Sequence, residues 1–221
     1  FASANPEDYT NRGRIITPLK DRFGSQIRTH YPLDAATELT IVEQEAELPD
    51  DIAVQVPEFM GEIVATFSQL ARRSSHVNQR SGVSVRLTVT NAETLVANAA
   101  RRALRAGEND VVPRVSDLGA LAASTSGKVE LDTLDDDGGQ VIERLVKEAV
   151  LTVFREHLDI GQLRGVIEAF DDGRIVHAGE DVAALDEVAL AAEVPALHDA
   201  VIALVGDDER PGVVASAVEF V

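Results

Sequence analysis

Two residues near the start of the chain pair a reactive side chain type with a neighbour that holds it still. In Ala4-Asn5-Pro6-Glu7, proline restricts the residue before it to extended backbone, so Asn5 carries a short, rigidly held amide. Phe1 to Ala4 reads as the end of a buried strand, and open α/β sheets place their ligands at such strand tips. An amide there can orient a water. Further on, Asp21-Arg22-Phe23-Gly24 presents a guanidinium at the end of a helical turn opened by Pro18, with Phe23 expected in the core as its anchor. The planar fork of Arg22 is the right shape to reach a phosphate held by a neighbouring subunit.

The elements that must position these residues follow from hydrophobic spacing. Ser25 to Tyr31 alternates like a short strand, and Pro32 closes that segment. From Asp34 the pattern turns helical. Val56-Pro57 opens a long helix through Phe59, Ile63, Val64, Phe67, Leu70 and Ala71, in mixed steps of three and four. The capping box Thr90-Asn91-Ala92-Glu93 predicts the start of a second helix, through Leu95, Val96, Ala99 and Ala103, with Gly107 as its stop. Ser116-Asp117 predicts a third. The polar run Asp132 to Gly139 reads as a boundary. After it come a long amphipathic helix over Val141 to Leu158, a shorter one around Leu163 to Phe170, and helical stretches over Ala183 to Val205, broken at Pro195, and over Gly212 to Val221.

Composition agrees with a mainly α chain. Of the 221 residues 45% are hydrophobic but only 4% aromatic, with no Trp, so the core must be built from Ala, Val, Leu and Ile. The absence of Cys excludes disulfides and thiolate metal sites and fits a reducing cytoplasm. No apolar run is long enough to span a bilayer. The net charge of −18 argues against attraction to nucleic acid or anionic lipid. It is unevenly spread: residues 1–30 hold five Lys/Arg against three Asp/Glu, whereas residues 130–221 hold six against twenty-two. A small cationic cluster in an acidic chain suits a small polyanion such as a nucleoside triphosphate.

The combination Ala4-Asn5-Pro6-Glu7 with Leu19-Lys20-Asp21-Arg22-Phe23-Gly24 resembles the second half of an AAA+ ATPase module, most closely the magnesium chelatase subunit I and MoxR-like branch. The resemblance covers roughly residues 1–120. It implies that Asn5 is sensor 1, that Arg22 is an arginine finger acting in trans, and that Gly82-Val83-Ser84-Val85-Arg86 carries sensor 2 at Arg86. In that family sensor 2 opens a helix. Here the β-branched residues around Arg86 and the box at Thr90 place Arg86 ahead of its helix. The implied organisation is the end of an α/β core over residues 1–32, a helical lid over 33–128 and an acidic helical extension over 129–221. The implied ligands are ATP and Mg²⁺, and the implied assembly is a homo-oligomeric ring, a hexamer, acting on a protein client or partner subunit.

The phosphate loop itself, G-x-x-x-x-G-K-[ST], is not found. Its nearest look-alike, Gly119 to Val129, has the wrong spacing and no Ser or Thr after Lys128. The expectation is therefore a C-terminal part of a longer ATPase, inactive alone, with a helical adaptor that binds a protein partner as the alternative. The five His are scattered and never paired at ligand spacing, and Asp132 to Asp137 lacks the order of a calcium loop, so no metal site is expected.

Overall fold

The computed structural model describes residue 3 and residues 21–49, 51–78, 82–131, 138–161 and 163–221. The chain divides into two compact units, Phe1–Tyr31 and Pro32–Val221.

In the first unit, Asp21 and Arg22 form a turn and both are exposed. Phe23 is 46% exposed, so it does not serve as the core anchor expected from the sequence. No strand forms over residues 25–31: Ile27, the apolar residue at the middle of the alternation, is 88% exposed, and an alternating segment with no face to bury has nothing to hold it in a sheet. Asn5, the expected strand end apart from Ser3, and residues 17–20 of the expected helical turn lie outside the described residues.

The second unit is mainly α. Its helices are α1 (Ala35–Glu45), α2 (Glu58–Arg73), α3 (Val85–Ala106), α4 (Leu121–Ser126), α5 (Gly138–His157), α6 (Arg164–Asp171), α7 (Ala184–Glu193), α8 (Pro195–Val205) and α9 (Pro211–Phe220). A 3-10 segment, Val115–Ala120, leads into α4. Among the described residues β-pairing is limited to two isolated bridges, Val54 with Val111 and Val77 with Leu131.

Local chemistry sets several of the helix ends. Asp34 caps α1, its carboxylate accepting from the Thr37 amide at 2.7 Å; that hydrogen bond holds the Asp34 carboxyl below the usual range. Pro195 and Pro211 stand at the first turns of α8 and α9, where a missing N–H costs nothing. Gly107 ends α3 at φ +68°, a left-handed conformation that side chains with a Cβ resist.

The core runs the length of this unit. Phe59, Met60, Ile63, Val64, Phe67 and Ala71 line the buried face of α2. They meet Val141, Ile142, Leu145, Ala149 and Val153 of α5 in the most extensive helix pair of the fold. The second most extensive pair is α7 with α9. Phe220, at the end of α9, stacks on Phe59 at 4.6 Å between ring centroids and tilts against Phe154 at 5.7 Å. Segments 33–128 and 129–221 therefore share one core. The polar run expected as a boundary between them does not separate two hydrophobic interiors, because the apolar stripe of α5 finds its partner in α2. Residues 132–137 of that run lie outside the described residues.

Candidate functional site

Arg86 occupies the second position of α3 and is exposed. The helix begins six residues earlier than the box at Thr90 predicts. Ser84 is the N-cap, with extended backbone at φ −66° and ψ 150°, and its hydroxyl accepts from the Arg86 amide at 3.3 Å. Thr90 lies inside the helix.

A buried polar cluster holds this helix start in place. Glu38 of α1 is fully buried, and Arg72 of α2 donates to it from both terminal nitrogens, at 2.7 and 2.5 Å. The Nε of Arg72 donates to the Val83 carbonyl at 3.0 Å, one residue before the cap. Thr88, one turn into α3, donates its hydroxyl to Glu38, and its oxygen lies 2.8 Å from the Ser68 hydroxyl of α2. Three helices thus converge on one carboxylate. The β-branched Thr88 is helical because its side chain has a specific buried partner, which outweighs its modest helix propensity.

A second polar cluster lies where α3 and the 3-10 segment meet the C-terminal helices. Arg102 of α3 is 1% exposed. It donates to Asp117 from Nε at 3.2 Å and from Nη2 at 3.0 Å, to Glu108 at 2.9 Å and to the Val112 carbonyl at 2.7 Å. Asp117 also accepts from the Arg114 amide at 2.9 Å and from the Asn98 side chain at 2.9 Å. With its carboxylate committed to Arg102 and Arg114, and with the Ser116 amide donating to Glu219 at 2.8 Å, the pair Ser116-Asp117 sits inside the 3-10 segment. It does not cap the helix that the sequence predicts there.

Arg114, also fully buried, carries the cluster onward. It donates to Glu108 at 2.7 Å and to the Val182 carbonyl at 2.9 Å, and its Nη1 stands 3.8 Å from Glu219 of α9. Glu187 of α7 is 1% exposed, and neither of its oxygens has a hydrogen-bond partner among the described residues. Burial, reinforced by the negative Glu219 and opposed by Arg114, pushes its carboxyl up to about 7. The cluster is enclosed by its own side chains. Its chemistry is that of a lock between residues 102–117 and the helices α7 and α9.

The three residues singled out in the sequence thus have separate fates. Asn5 lies outside the described residues; Arg22 belongs to the first unit and Arg86 to the second. The charged residues of the two clusters were not singled out. Arg102 had a usable signal, since it shares the face of α3 with Leu95 and Ala99, a stripe in which a charge must find a buried partner. Glu38 and Glu187 had none, because each stands in a helix with other acids that are exposed.

No protein-family model, curated protein or solved structure matches the chain. No helix among the described residues is long and apolar enough to cross a membrane.

Proposed function

We propose that the chain supplies the sensing and trans-acting elements of an AAA+ ATPase resembling magnesium chelatase subunit I, in which ATP binding and hydrolysis in a ring drive metal insertion or protein remodelling. The observation that carries this reading is the position of Arg86. A guanidinium exposed in the first turn of a long helix, behind a Ser cap and braced by Arg72 at Val83, is where a lid residue that reports bound nucleotide belongs. The motif spacing of Asn5 and Arg22 supports it from sequence. In this mechanism Mg·ATP lies between subunits, Asn5 orients the attacking water, and Arg22 of one subunit stabilises the charge that develops on the γ-phosphoryl of the next. Arg86 couples the nucleotide to the lid. The phosphate loop and the acids that hold Mg²⁺ come from elsewhere in the ATPase, and its client is a protein or a partner subunit.

The test is steady-state ATP turnover in the protein that carries the phosphate loop together with these residues. Arg22→Ala should lower turnover by about three powers of ten, the usual weight of an arginine finger. Unchanged turnover would favour the second reading, a non-enzymatic helical adaptor that binds a protein partner, for which the core shared along Pro32–Val221 is the supporting observation.

A further inference from the structure

A groove of about 290 Å³ opens between the C-terminal end of α2 and the first half of α5. Its floor is apolar, formed by Leu70, Val141 and Leu145. Its walls carry Arg73 and Arg144, both exposed, and neither guanidinium is paired with a carboxylate among the described residues. Glu148 stands on the same wall, four residues after Arg144, without closing an ion pair on it. In a chain with 38 acidic side chains, a groove lined by two arginines that have no acidic partner among the described residues, against one glutamate, is locally cationic. Arg73 also complements the carbonyl end of α2, but that role does not call for Arg144 on the facing helix.

We propose that this groove binds a small phosphate monoester. Two planar guanidiniums lining one groove, one from the end of α2 and one from α5, can each offer paired N–H donors to a phosphoryl group, for which arginine is suited above lysine. Ser75 and His76 add short polar groups at the same rim. The apolar floor takes the carbon skeleton of the ligand, and the Glu148 carboxylate accepts from a hydroxyl on it. The volume lies at the small end of ligand sites, which selects a ligand of a few carbons over a polymer. The groove uses none of Asn5, Arg22 or Arg86, so it stands or falls apart from the ATPase reading.

The experiment is a titration of the full chain with glycerol 3-phosphate, followed by amide chemical shifts. Shifts are expected to concentrate at residues 73–76 and 141–148. Arg73→Gln and Arg144→Gln should each weaken binding about tenfold, the loss expected for one charge-assisted contact. Both side chains are exposed, so the variants should keep the wild-type circular dichroism and melting temperature. The proposal is overturned if the phosphate ester shifts no residue of the groove, if sulfate at matched ionic strength shifts the same residues equally, or if the two variants bind as the wild type does. Tighter binding of a phosphoserine peptide than of the free ester also overturns it, in favour of a protein ligand.

Discussion

Arg102 and Asp117 meet fully buried, 15 residues apart in sequence, with Nη2 of the arginine 3.0 Å from Oδ2 of the aspartate. The pair forms the base of a charged cluster that reaches Glu108, Arg114 and Glu219. Withdrawing two charges from water is costly, so the pair is weak evidence for net stability as a whole. Removing one partner is different, because the other is left buried and uncompensated. Asp117→Ala should therefore destabilise the chain by about 3–5 kcal/mol, read as a lower urea midpoint. A loss below about 1 kcal/mol would mean that water reaches Arg102 and that the cluster is open.

Glu187 makes stability depend on pH in a stated direction. Its carboxyl is raised from 4.5 to about 7 in the folded chain. The native state thus keeps a proton that the unfolded chain gives up over that interval. The stabilising contribution is complete below about pH 4.5 and is lost as pH rises through about 7, by on the order of 3 kcal/mol in all. Glu187→Gln, which keeps the volume and removes the charge, should raise the melting temperature at about pH 8 and leave it nearly unchanged at about pH 4.5. Equal effects at both values would show that folding does not shift the Glu187 carboxyl.

The cluster around Glu38 predicts a mutant whose damage is local as well as global. Arg72→Met removes the only cation paired, among the described residues, with a fully buried carboxylate, leaving Glu38 with the Thr88 hydroxyl alone, and releases the Val83 carbonyl. The cost should be about 3–5 kcal/mol. Adding Glu38→Leu to Arg72→Met should recover most of it, since an apolar pair of similar size replaces the ion pair without leaving a charge behind. Failure of that recovery in urea denaturation would mean that the hold on Val83, and not the buried charge, dominates.

Helices whose apolar stripes meet the core were legible in the sequence. The stripe of Phe59, Ile63, Val64, Phe67 and Ala71 marked α2, and that of Ile142, Leu145, Ala149 and Val153 marked α5, because the spacing that buries one face is written locally. The break at Pro195 was legible as well, since proline can open α8 but cannot continue α7. What the sequence did not show depends on distant partners. Ser84 and Thr90 are both competent caps, and the choice between them rests on Glu38 and Ser68 receiving Thr88 from other helices. Whether the polar run before α5 separates two cores depends on α2 lying across from α5. Of the candidate site, the residue types and spacings were legible; the turn at Arg22 formed without a buried Phe23, which no local pattern announced.

Ser84 and Arg86 allow the placement of the helix start to be separated from the role of the guanidinium. The Ser84 hydroxyl accepts from the Arg86 amide, so Ser84→Ala should cost about 1 kcal/mol, the usual worth of an N-cap. Arg86 is exposed, and Arg86→Ala should leave stability within about 0.5 kcal/mol. If Arg86 reports nucleotide, the order reverses in an ATPase assay of the protein that carries the phosphate loop. Arg86→Ala then impairs turnover or nucleotide affinity strongly, while Ser84→Ala, which leaves the guanidinium on a frayed helix, has the smaller effect. Urea denaturation and turnover measured on the same two variants give both orders. An Arg86→Ala protein with normal stability and normal turnover would assign that side chain to the solvated surface and remove the lid from the proposed mechanism.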